Sequence, residues 1–184
     1  GLVQTADGSV MLSETDLASD AFGLPWGVSR TWTNQSGVDA NDAPGWQDLA
    51  SEVGSLRGIA DANGNGWQTV PYLMDTGSTV VIVHGGLPRY FDRLGSNEYR
   101  ARFGSLAQLR QAEPGLFSLT EPDGVRWNFD AGRLVSVLDP RGNETTLTYR
   151  KDGKLYQVRR EHEGSAECFH YSYYGSGEPL GRRG

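Results

Sequence analysis

Phe129-Asp130-Ala131-Gly132-Arg133-Leu134 and Tyr149-Arg150-Lys151-Asp152-Gly153-Lys154-Leu155 are the two stretches whose reading decides the fold. Both run aromatic, short gap, Gly, basic residue, Leu. Gly132 recurs as Gly153 and Val137 as Val158, each 21 positions on, and a looser third copy runs Tyr173, Gly177, Leu180. A period near 20 marks a repeat architecture, in which each unit covers its apolar face only by leaning on its neighbours. Within a unit the aromatic anchors one strand, the Gly permits a turn, and the Leu opens the returning strand.

Working outward, the β-prone run Arg133 to Leu138 follows the turn at Asp130-Ala131-Gly132. Asp139-Pro140-Arg141-Gly142-Asn143 is the next turn, with Pro presetting φ and Gly supplying the flexible position. Glu144 to Tyr149 alternates, placing Thr145, Leu147 and Tyr149 on one face. Asp152-Gly153 is a hairpin signal between that strand and Lys154 to Arg160. A polar turn at Glu161 to Ala166 leads to a strand from Glu167 to Tyr174, with Phe169, Tyr171 and Tyr173 on one face and Cys168, His170, Ser172 and Tyr174 on the other. Short strands joined by short turns predict an all-β chain, an antiparallel meander of successive hairpins.

The middle of the chain carries weaker versions of the same signal. Asp123-Gly124 separates Phe117 to Thr120 from Val125 to Phe129, and Gly85-Gly86 separates Val80 to Val83 from Arg89 to Phe91. Ser105 to Ala112 leaves a short helix open, because Leu106 and Leu109 stand three apart. Near the N-terminus, Ser9 to Thr15 and Val28 to Thr33 read as strands, and the polar segment Asn34 to Asp48 reads as a loop. No linker divides the chain, so residues 1–184 are taken as one unit. Within it, 1–50 form an opening segment, 51–118 degenerate hairpins and 119–184 the repeats.

Composition agrees. Glycine, 25 of 184 residues, is at about twice its usual share, which suits many turns and disfavours long helices. A formal charge of −6 repels phosphate backbones, so nucleic acid is not an expected partner. Arg150, Lys151, Lys154, Arg159 and Arg160 are interleaved with Asp152, Glu161 and Glu163, which reads as a solvated face of mixed charge. The single cysteine, Cys168, excludes an internal disulfide. The longest aliphatic run, Val80 to Val83, is far short of a membrane helix. A chain that opens on Gly1 without Met reads as a piece of a longer polypeptide.

The region Asn128 to Tyr174 resembles the Rhs/YD-repeat family. The residues that carry the resemblance are Phe129-Asp130, Gly132-Arg133-Leu134, Val137, Asp139, Gly142-Asn143, Leu147 and Tyr149, with the lead-in Leu119, Asp123-Gly124, Trp127 and Phe129. Asp16-Leu17, Gly23-Leu24-Pro25, Arg30-Thr31-Trp32 and Gly45-Trp46 are similar to the first segment of bacterial members of that family. The resemblance is weakest over Val53 to Tyr72. It implies a non-catalytic wall segment of a β-shell that encloses a toxin or displays a surface domain. The implied partners are further repeats of the parent protein and an enclosed toxin domain; the implied location is secreted or on a bacterial cell surface. Neither the family's self-cleaving segment nor its toxin is carried by the residues that match.

Other chemistry is thinly represented, and no catalytic, cofactor-binding or metal-binding residue is assigned; no cofactor is expected. Asp61-Ala62-Asn63-Gly64-Asn65-Gly66 fits the first half of a calcium loop, but the ninth and twelfth positions are Thr69 and Tyr72 rather than an oxygen-rich pair, so a turn is the simpler reading. Cys168 and His170 share a strand face, and His162 would have to join them to build a metal site. His84-Gly85-Gly86 looks like an oxyanion loop but has no Gly-x-Ser-x-Gly partner. The carboxylates leave a hydrolase fragment as a distant alternative. A nearer one is a glycan- or protein-binding module, in which Trp26, Trp32, Trp46, Trp67 and Trp127 stack on a partner instead of filling sheet faces.

Overall fold

The computed structural model describes residues 2–3, 10–20, 25–33, 68–84 and 87–173. Among them every regular element is a strand: β1 (Leu2–Val3), β2 (Val10–Ser19), β3 (Trp26–Thr33), β4 (Tyr72–Asp75), β5 (Thr79–His84), β6 (Leu87–Arg93) and β7 (Tyr99–Ala101). There follow β8 (Gln108–Glu113), β9 (Leu116–Thr120), β10 (Arg126–Asp130), β11 (Arg133–Leu138), β12 (Glu144–Tyr149), β13 (Leu155–His162) and β14 (Ser165–His170). Every ladder between them is antiparallel. The protein is all-β, a meander of hairpins.

β1 to β3 form a three-stranded sheet, and β4 to β14 form a second sheet of eleven strands. β11 is the branch point of the larger one. One edge of β11 carries β10, then β9 and β8; the other edge carries β12 at one end and β4 at the other. The link to β4 is one residue pair, Arg133 with Tyr72, reinforced by the Leu73 N–H donating to the Gly132 carbonyl at 2.8 Å. From β4 the sheet runs on through β5 and β6 to β7 and approaches β8 through the isolated pair Glu98–Arg110. The sheet therefore curls but stays open. Beyond β11, strands β12, β13 and β14 fan outward.

The core follows from strand parity, since directly opposed residues share a face. Leu73 and Ile82, then Val80 and Phe91, lie opposite one another on the inside of the curl. Phe117 meets Phe129, Leu119 meets Trp127, and Phe129 meets Leu134. A bulge at Asn128/Phe129 adds a residue to β11, so that Leu134 and Val137, three apart, both face inward. The fan continues this face as Leu147, Val158 and Phe169, and a single apolar cluster spans both regions. β4 and β5 are buried on both faces, which explains the unbroken run Val80-Val81-Ile82-Val83.

The structure decides one reading that the sequence left open and corrects one expectation. Ser105 to Ala112 forms no helix: Gln108–Glu113 is a strand, Leu109 is buried and Leu106 is 78% exposed. Propensity yields here to pairing with β9. Arg160 is not part of a solvated face but is fully buried. It faces inward with Thr145 and Glu167, because the hairpin register sets those three in one row. Arg160 Nε donates to Glu167 at 3.0 Å, and its Nη2 reaches both Glu167 and Ser19 of β2. Burial acts to raise the Glu167 pKa, but its hydrogen bonds with Ser19, which weigh most, and with Arg160 hold it below the usual carboxylate value. The loop Asn34 to Asp48, the calcium-like Asp61 to Gly66, Trp46, Trp67, and Gly177 and Leu180 of the third copy lie outside the described residues.

Candidate functional site

Two arrangements stand out, one in the repeats and one at the mouth of the curl. In the repeats, the Tyr149 hydroxyl donates to the Leu134 carbonyl at 2.6 Å, and the Tyr173 hydroxyl donates to the Leu155 carbonyl at 2.8 Å. The Arg133 guanidinium stands 5.8 Å from the Tyr149 ring centre, and the Lys154 ammonium stands 5.1 Å from that of Tyr173. Each Gly-basic-Leu unit thus holds the next tyrosine twice, by its Leu carbonyl and by its basic side chain. The glycines make this possible: Gly132 and Gly153 sit at φ 80° and 85°, where a Cβ is disfavoured, and turn the chain just before the Leu. Burial pushes the Tyr149 hydroxyl well above its ordinary pKa and that of Tyr173 up to about 12, so both remain donors at neutral pH.

Between the two clamps, the Asp139 turn is tied internally. The carboxylate of Asp139 accepts from the backbone N–H of Arg141 and of Asn143, each at 2.8 Å, and from the Asn143 amide at 2.7 Å. Burial acts to raise the Asp139 pKa, but these bonds together outweigh it and hold the carboxyl low. This is the physical content of the Asp-x-x-Gly-Asn signature: the turn closes on its own first side chain.

At the mouth of the curl lies a cavity of about 370 Å³. Trp26 and Gly27 of β3 form one side; Trp127, Leu134 and Val137 form the floor; His84, Glu121 and Asp123 stand at the rim. The His84 and Trp127 rings meet edge to face, centres 5.4 Å apart at 71°. Arg89 grips Glu121 with both terminal nitrogens, Nη2 to Oε2 at 3.1 Å. Part of His84 remains accessible, yet its ring has lost much of its water; that desolvation, then the Arg89 charge, lowers its pKa below 6.5, with Glu121 acting in the opposite sense. His84 is therefore a neutral imidazole at pH 7. Asp123 is occupied in the turn, accepting from the Val125 N–H at 3.0 Å. Deeper in, the Trp26 indole N–H and the Tyr171 hydroxyl are both cut off from water and approach each other outside ideal hydrogen-bond geometry. Burial raises the Tyr171 pKa, and the contact with Trp26 offsets part of that rise.

The remaining candidates separate. Cys168 and His170 share the outer face of β14, and the His170 ring packs edge-on against Tyr156. His162 lies on the opposite face of its hairpin and contacts Asn143 at 3.0 Å, so it does not approach them. Among the described residues no group of three His, Cys, Asp or Glu side chains is placed to hold a metal ion. No described helix is long and apolar enough to cross a membrane. Trp26 and Trp127 pack partly against the core. The sequence singled out His84 and Trp127 separately, with no signal that β5 and β10 bring their rings together. No protein-family model matches the chain, and no curated protein matches it.

Proposed function

We propose that this chain is a non-catalytic wall segment of an Rhs/YD-type repeat protein, secreted or on a bacterial surface, that encloses a toxin or displays a surface domain. The observation that carries the reading is the doubled clamp, Tyr149 on Leu134 and Tyr173 on Leu155, each under a basic side chain. Two successive units make the same contact, so the device propagates: every further unit of this pattern presents a Leu carbonyl and a cation to the one after it. Such units extend a sheet without needing a separate core, which is the requirement of a wall. β14 is the outermost strand of the fan among the described residues, and its free edge suits the next hairpin of the parent protein. Electron microscopy of the full-length parent tests the reading. A hollow particle with this segment in its wall is expected; a solid particle with no lumen contradicts it.

A further inference from the structure

Beyond the wall role, we propose that the cavity at the mouth of the curl binds one neutral sugar ring, stacked on Trp127 and read at its hydroxyls by His84. The inference does not rest on the wall reading. At about 370 Å³ the cavity falls in the lower part of the range of small-ligand sites, and its lining combines tryptophan and aliphatic carbon with the polar side chains of His84, Glu121 and Asp123 and the hydroxyls of Ser29, Thr69 and Thr145. A pyranose is likewise mixed, with an apolar face of C–H bonds and an edge of hydroxyls. An aromatic floor takes the first, and fixed donors and acceptors take the second.

Charge then selects among ligands. The Glu121 carboxylate is already held at both oxygens by Arg89, and Asp123 is held by the Val125 N–H. An anion at this rim meets two carboxylates. A cation meets the Arg89 guanidinium, and of the two carboxylates Glu121 is already paired with that guanidinium while Asp123 is exposed to water and tied into its own turn. A neutral ligand needs neither pair broken. His84, neutral and in edge-to-face contact with Trp127, offers one N–H and one lone pair, the complement of a hydroxyl.

Saturation-transfer NMR on the full chain tests this with methyl glucoside, methyl galactoside and methyl N-acetylglucosaminide, their matching disaccharides, and N-acetylneuraminate and glucosamine as charged counterparts. A neutral glycoside is expected to respond, with the charged sugars at least about tenfold weaker. A response from the disaccharide alone marks a ring within a longer glycan and equally supports the site. Ser29 lines the opening and is exposed, so Ser29→Trp fills the mouth without entering the core and is expected to abolish the signal. Trp127→Phe keeps an aromatic floor and is expected to weaken binding about tenfold. Circular dichroism confirms that each variant is folded. Silence from every neutral sugar overturns the proposal, as does a response that survives both variants. Binding of phenol or indole with no sugar response overturns it in favour of an aromatic peptide side chain.

Discussion

The curl (β4 to β10) and the fan (β11 to β14) are made of the same kind of strand but are held in different ways. Strands of the curl depend on distant partners: Tyr72 pairs with Arg133, and Arg89 binds Glu121. β4 and β5 are covered on both faces. In the fan, each strand pairs with its neighbour in sequence, one face is buried, and the contacts repeat from unit to unit. The curl is thus a core that happens to be built from hairpins, whereas the fan is a device that can be extended. The Trp26 end of β3 and Ser19 of β2 reach the fan, so the N-terminal sheet covers part of its apolar face.

Substitutions sharpen this contrast. The largest effect is expected in the curl: Phe129→Ala removes a ring buried among Phe117 and Leu134 and should cost about 3–5 kcal/mol in urea unfolding. A loss under about 1 kcal/mol would mean that the curl has no packed interior. Next comes Glu167→Ala, which removes the carboxylate that answers the charge of the buried Arg160 guanidinium. Because Glu167 keeps a quarter of its side chain in water, we expect about 2–3 kcal/mol, below the full cost of breaking a buried pair. Its effect should fall on the fan and the N-terminal sheet, read as faster amide exchange in β13 and β14 with β5 protected; uniform exchange would erase the distinction between the two regions.

Asp139→Ala should cost about 1–2 kcal/mol, since three donors of one turn lose their acceptor. The same group sets an acid limit. Its pKa is depressed in the folded chain, so its contribution is present above the unfolded value of 3.8 and is lost as pH falls through the lower folded value. Asp139→Asn should remove this part of the acid dependence; an unaltered acid midpoint would contradict it. The smallest effect belongs to the curl. The His84 pKa is lowered, so the unfolded chain takes up a proton first as pH drops below 6.5. Stability is complete above that value and falls slightly beneath it, and His84→Gln should flatten the slope there in a urea series at several pH values.

The fan was legible because its signals are local. Arg133–Leu138 and Glu144–Tyr149 are strands with the bounds expected from the turns around them, and the alternation of Thr145 and Leu147 places both residues as read. The last strand begins earlier and ends sooner than expected, at Ser165–His170, because the turn tightens to Glu163-Gly164, both at positive φ. The curl was legible only in its hairpins. Tyr72–Asp75 is too short to announce itself and is made a strand by β5 and Arg133. Arg160 was misread because composition sees only its charged neighbours; its parity with Val158 and its place opposite Glu167 carried the correct signal. The cavity was invisible for a similar reason, since Trp26, His84 and Trp127 come from three strands whose meeting no local pattern encodes.

The most direct measurement is urea unfolding of Tyr149→Phe, Tyr173→Phe and the double variant. Each ring is kept and only the hydroxyl on the preceding Leu carbonyl is removed. Equal losses of about 1 kcal/mol, additive in the double variant, are predicted if both units use one clamp. Changes within about 0.3 kcal/mol of zero at both sites would contradict the claim that successive units are locked to one another in this way.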